Sequence, residues 1–118
     1  MYNSPYCQLE YLKEQNAILC IWKQFCEGDN YRKPLEFATQ EIEKCEIITW
    51  ITDTTNGFES TEADTKWLLE EFVPSMISSS IKKVVFIIAN DSPLLEEIKA
   101  QEVALSEFFE VELVESLS

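Results

Sequence analysis

The sequence predicts an α/β fold: a mixed five-stranded sheet that opens with an N-terminal antiparallel hairpin, continues as β-α-β-α-β-α-β, and carries helices packed on it. Three observations predict it. Ile47-Ile48-Thr49-Trp50-Ile51-Thr52 is an apolar, β-branched run that stops at Asp53, and Val84-Val85-Phe86-Ile87-Ile88-Ala89 is apolar throughout. Runs of this kind are strands buried on both faces, as in parallel or mixed sheets covered by helices. Between them a polar loop leads into a helical segment around Trp67-Leu68-Leu69 that ends near Pro74.

The remaining elements follow from their periods. From Tyr6 to Glu14, Cys7, Leu9 and Tyr11 share one face and Gln8, Glu10 and Glu14 the other, which is a half-buried strand. Ala17 to Phe25 is more apolar, with Ile18, Cys20 and Trp22 opposing Leu19, Ile21 and Phe25. The short link Gln15-Asn16 makes the two an antiparallel hairpin of open turn type. From Asp29 to Cys45 the period lengthens: Tyr31, Leu35, Ala38, Ile42 and Cys45 step by four, three, four and three, the stripe of a helix. Pro34 is expected in its first turn, where a missing N–H does no harm. A second helix begins near Ser60-Thr61, with Thr61-x-x-Asp64 as a capping box and Ala63, Trp67, Leu68 and Phe72 inside. Pro74 is expected to bend or end it, since its ring meets the Glu70 carbonyl. Ser92 caps a third helix with Pro93 at its first position and Leu94, Ile98, Leu105 and Phe108 along one stripe. Val111 to Val114 is a short last strand before a polar end.

Composition narrows the function. The 118 residues make a single domain, with no repeat or linker to divide them. With 22 acidic and 9 basic residues the formal net charge is -13, which repels nucleic acid and anionic membrane surfaces. The longest apolar run, Val84 to Ala89, is far too short to insert in a bilayer. Solubility is the ordinary meaning of such acidity, and a basic partner is the alternative. There is no histidine, which removes Ser-His and Cys-His nucleophile pairs and every His-bearing zinc site. Two glycines, Gly28 and Gly57, build no phosphate-cradling loop. Cys7, Cys20, Cys26 and Cys45 form no Cys-x-x-Cys pair, so a zinc site needs the fold to gather them. No metal and no cofactor are expected. A reduced cytoplasmic protein with buried thiols is the simplest account, with paired disulfides as the alternative.

Open sheets bind ligands beyond the carboxyl ends of their strands. Three loops are expected there: Cys26 to Asp29, Asp53 to Thr61, and Asn90 to Ser92, none with a lysine or arginine. Asp53, Asp91 and Asp29 could face a cation or phosphate, but capping helices and tightening turns is the favoured account of all three. Trp22, Trp50, Trp67, Phe72 and Phe86 fall at positions that the periodicity buries. Phe58 lies in the polar loop beside Gly57, where an exposed ring suits a partner or ligand.

Trp50-x-x-Asp53, Asp64-x-x-Trp67 with Glu70-Glu71-x-x-Pro74, and Ile81-Lys82-Lys83-Val84-Val85 together resemble the small bacterial STAS-like proteins. These are single domains related in fold to sporulation anti-sigma-factor antagonists and to CRAL-TRIO lipid-binding domains. The resemblance spans residues 6–116 and is most distinctive from Trp50 to Ala89. It implies a mixed sheet with helices and no catalytic activity. In the antagonists a serine or threonine next to an aspartate after the third strand is phosphorylated by a partner kinase, which by resemblance marks Thr54, beside Asp53, as the phosphosite. This chain departs from them in Thr54-Thr55-Asn56-Gly57, which replaces a small-residue pair, and in a longer loop. The expectation is a non-enzymatic binding or regulatory module. Its candidate residues are Asp53, Thr54, Thr55, Phe58 and Asp91, and its partner is another protein or a second copy. The alternative is a carrier or sensor of a small apolar, lipid-like ligand.

Overall fold

The computed structural model describes residues 1–116; the polar end expected after the last strand runs on into residues 117–118, outside the described residues. Alternation sets the N-terminal hairpin. Strand β2 (Cys7–Leu12) pairs antiparallel with β3 (Ala17–Trp22), matching Leu9 to Cys20 and Tyr11 to Ile18. The link is a 3-10 turn, Lys13–Gln15, closed by Asn16 in the left-handed region at φ 49°, a conformation that asparagine tolerates. The Asn16 side-chain amide donates to the Glu46 carbonyl at 2.9 Å, tying the hairpin to the end of the first helix.

The sheet has six strands rather than five. Tyr2–Asn3 (β1) pairs antiparallel with Gln8 and Leu9. Two residues are too few for an alternating pattern to show. Beyond the hairpin, β3, β4 (Thr49–Asp53), β5 (Lys83–Ile87) and β6 (Glu110–Val114) run parallel, so spatial order equals chain order.

That order dictates the layering. Each crossover advances one strand in the same direction, and right-handed crossovers then place every helix on one face. Cys7, Leu9, Ile18, Cys20, Trp22, Trp50, Val84 and Phe86 meet the helices there in one continuous core. The opposite face, with Ala17, Leu19, Ile51, Val85 and Ile87, has no helix on it among the described residues. Its side chains seal one another, and the Lys83–Glu112 ion pair crosses beside Val85 at 2.8 Å. The apolar run of β5 therefore reflects burial on both faces with helical cover on only one.

Helix α1 is Asp29–Cys45, and Tyr31, Leu35, Ala38 and Ile42 are buried along it. Pro34 lies in its second turn, not its first. Without an N–H at that position, the Asn30 carbonyl lacks its helical donor; the Cys26 thiol, 3.6 Å away, points to that carbonyl instead.

The second helical segment is continuous over residues 62–77 but not uniform. It comprises α2 (Glu62–Trp67), a π turn at Leu68–Phe72, and α3 (Val73–Ile77). The Val73 N–H bonds to the Leu68 carbonyl, five residues back. The widened turn lies immediately before Pro74, whose ring a regular α turn would press against the Glu70 carbonyl. Pro74 therefore neither ends nor breaks the helix. The inner face also differs from the expected one: Ala63 is exposed, and Asp64, Phe72 and Met76 are buried.

The Asp64 position has an electrostatic cause. The Thr61 side chain caps the helix by accepting the Asp64 N–H at 3.2 Å. The carboxylate does not return to complete a capping box. It crosses to α1, accepting the Gly28 N–H at 2.9 Å and the Arg32 Nε at 3.0 Å, and is 1% exposed. Gly28 sits at φ 62° with no atom near where a Cβ would stand, so only backbone strain restricts it.

Helix α4 (Leu95–Leu105) is capped at Leu94, two residues beyond the expected cap Ser92, so Pro93 precedes the helix; in that turn the Ser92 hydroxyl accepts the Leu94 N–H at 3.1 Å. Ile98 is buried, but the stripe closes on Phe109, because the chain has left the helix by Phe108, which is exposed.

Removing Asp64 leaves the part-buried Gly28 N–H without its acceptor, while Arg32, a third exposed, can be taken up by solvent. Asp64→Ala is therefore expected to destabilise the fold by about 1–3 kcal/mol in urea unfolding. A loss within about 0.5 kcal/mol, the range of ordinary surface changes, would show that the carboxylate holds nothing together.

Candidate functional site

The carboxyl ends of β3, β4 and β5 open beneath α2–α3 and α4. At that end an apolar cavity of about 130 Å³ lies between sheet and helices. Trp22, Trp50, Thr52 and Phe86 rise into it from the strands, Tyr31 from α1, and Leu68 and Phe72 from the π turn. Ile98, Gln101 and Leu105 close it from α4. The widened turn thus does two things: it carries Pro74, and it turns Leu68 and Phe72 into the cavity wall. π turns are frequent at functional sites.

The aromatic lining is a connected mosaic. Trp22 stacks on Tyr31 with centroids 5.1 Å apart and planes at 12°. Phe58 stands edge-on to Trp22 at 5.6 Å and to Phe25 at 5.3 Å. Trp50 meets Phe72 at 5.4 Å, and Phe72 in turn lies 6.4 Å from Trp67. Arg32, fixed by Asp64, places its guanidinium carbon 5.8 Å from the Trp67 ring centre. The polar groups at the cavity are few: Thr52, Thr54, Ser60, Glu97 and Gln101. Apolar walls with a few convergent polar groups are the usual composition of a ligand pocket.

The residues expected to bind are brought to this end of the sheet but play different parts. Thr54 is 8% exposed, and its hydroxyl donates to the Ile87 carbonyl at 2.7 Å, joining β4 to the end of β5. A phosphate on that oxygen would have to displace the bond. The Asp53 carboxylate accepts the Thr55 N–H at 2.9 Å, a turn-tightening use, while Thr55 is exposed. The Gly57 N–H then reaches the Thr54 carbonyl at 2.9 Å. A Cβ on Gly57 would stand 2.9 Å from that oxygen, so only glycine closes the turn here. Closure delivers Phe58 onto Trp22 and Tyr31, half-buried as a cavity wall rather than displayed in solvent. Asp91 is exposed in the turn before α4. Among the described residues, no three cysteines or carboxylates converge as metal ligands, so neither Asp29, Asp53 and Asp91 nor the cysteines form such a set.

Trp22, Tyr31, Trp50 and Phe72 read as plain core in the sequence, because periodicity reports burial without saying whether the packing is complete. Gln101 carried a readable signal: it falls on the apolar stripe Leu94, Ile98, Leu105, where a polar side chain needs a reason. All four cysteines are free. Cys7 and Cys20 lie with sulfurs 3.6 Å apart, and burial pushes the Cys20 thiol well above its ordinary range. Burial likewise raises Cys26 to about 11 and pushes the Tyr31 phenol up. Comparison with protein-family models, curated proteins and solved structures gave no match.

Two measurements follow from this geometry. Cys26 and Tyr31 stay protonated in the folded chain at a pH where the unfolded chain has begun to ionise. Their contribution is therefore complete below about pH 8.5, the ordinary thiol value, and for Cys26 it is lost as pH rises to about 11. Urea midpoints should fall across that interval, and Cys26→Ala should make the fall shallower; identical slopes in both proteins would contradict it. Gly57→Ala should cost about 1–3 kcal/mol, the range for forcing atoms into a filled space, and should alter the near-ultraviolet dichroism of the tryptophans by releasing Phe58. An unchanged aromatic spectrum would show that the turn does not position that ring.

Proposed function

We propose that the chain is a non-catalytic binding module whose site is the aromatic cavity at the carboxyl ends of β3–β5, with the residue 54–61 loop as its wall. The observation that carries this reading is the cavity itself: apolar, aromatic-walled, and placed where open α/β sheets bind ligands. Its volume sets the ligand class. At about 130 Å³ it falls short of the roughly 300–1,000 Å³ of pockets for drug-sized ligands. It compares with the roughly 150 Å³ engineered cavity that accepts benzene. The occupant is a compact, mostly apolar group about the size of one aromatic ring, not a long acyl chain. A regulatory role through that occupant and a STAS-like ancestry belong to the same reading, supported by the mixed sheet. The four free thiols support a reducing, cytoplasmic setting. The absence of histidine supports the lack of catalysis.

A second reading, a protein contact at the same edge, is favoured by Phe25, which is 52% exposed while its ring touches Phe58. Its partner would read Phe25, Thr55 and the outer side of the loop.

Tryptophan fluorescence separates the two, since Trp22 and Trp50 line the cavity. Titration with benzyl alcohol should give a saturable change, and Leu105→Trp, which places a larger ring on the half-buried α4 wall, should abolish it without unfolding the chain. A linear, non-saturating response in the wild type would overturn the ligand reading and leave the protein contact.

A further inference from the structure

The cavity does not open directly to bulk solvent on all sides. Against its α2–α4 edge lies a shallow surface depression walled by Glu59, Glu62, Glu70 and Glu97, with Lys66 as its single basic residue. The two spaces share Ser60 and Glu97. Among the described residues, Glu97 is the only charged one in the cavity lining, and no lysine or arginine lines it. An aromatic chamber thus adjoins a carboxylate-walled depression, with Ser60 and Glu97 common to both, on a chain of formal net charge -13.

We propose that the occupant is a compact arylmethyl amine, its ring in the cavity and its ammonium at the mouth beside Glu97. This rests on the ligand-binding reading above and names its chemical class. An anionic ligand would bring its charge into a field of carboxylates with no cation to meet it. A neutral ring would fill the chamber but gain nothing from the depression. A cationic amine gains at both ends. The ring fills the aromatic chamber, and the carboxylates around Glu97 concentrate cations beside it. Keeping the charge at the mouth also avoids desolvating it in the apolar interior. Glu97 sits on the exposed side of α4, three residues from the Leu94 wall and next to Ile98, and belongs to the linings of both chamber and depression.

Calorimetric titration of the whole chain with benzylamine, benzyl alcohol and benzoate tests the class with one ring and three charges. At low salt, benzylamine should bind about two- to fivefold more tightly than benzyl alcohol, from the modest gain of one exposed ion pair. Added salt should shrink that preference, and benzoate should not bind. Glu97→Gln should bring benzylamine level with benzyl alcohol measured in the same variant, since that ion pair carries the preference. Equal affinity for amine and alcohol in the wild type would overturn the amine class while leaving the cavity as a ligand site. No binding of any of the three would overturn both. Benzylamine binding that survives Leu105→Trp would show counter-ion association with the surface and would overturn the class.

Discussion

The fold turns on one buried carboxylate. Asp64, 1% exposed, holds Gly28 N–H and Arg32 Nε at about hydrogen-bond length, and so joins three pieces of chain that packing alone would leave free to slide. The first is the loop after β3, which follows directly on Trp22. The second is the opening of α1, which carries Tyr31. The third is the opening of α2, which carries Trp67. A charge in an apolar interior is tolerated only when fully paired, and here the pairing demands a particular geometry. Gly28 must take a left-handed φ to aim its N–H inward. Arg32, once engaged, lies against the Trp67 ring. The aromatic walls of the cavity are therefore positioned by an electrostatic contact outside the cavity.

Two prolines supply a second constraint. Each removes a backbone donor and crowds the preceding turn, and the chain answers differently each time. At Pro34 the helix stays α, and the Cys26 thiol turns to the abandoned Asn30 carbonyl. At Pro74 the helix widens instead, with a π turn that swings Leu68 and Phe72 toward the sheet. Both answers affect the site. The first fixes the β3–α1 loop from within, beside the Asp64 tie; the second shapes the cavity wall.

Much of the fold could be read from the residues, because burial leaves a period. The stripe Tyr31, Leu35, Ala38, Ile42 gave α1 its bounds, Asp29–Cys45, and the apolar runs located β4 and β5. What escaped had no period to show. β1 is two residues long. The π turn shifts the register inside one helix, so a uniform helical stripe put Ala63 inside where Asp64 belongs. The bare sheet face follows from strand order, and burial patterns do not contain order. At the site, the sequence located the right edge of the sheet but mistook the orientation of Phe58, whose inward turn depends on a Gly57–Thr54 contact. The cavity was invisible for the same reason: an incompletely filled core and a filled one have the same hydrophobic pattern. Asp64 was read as a helix cap, and only half of that is its role.

Function in this account comes from what the tie leaves open. The chain has no histidine, and no metal ligands gather among its described residues. The tie leaves open an aromatic-walled cavity at the carboxyl ends of β3–β5, with Glu97 in its lining. The amide of Gly28 reports directly on whether the buried carboxylate holds that chamber. Native-state hydrogen exchange should find the Gly28 N–H protected to the level of global unfolding, like the central strands, because breaking its bond to Asp64 means unpairing a buried charge. Exchange at the rate of a free surface loop, while β4 and β5 remain protected, would contradict the account.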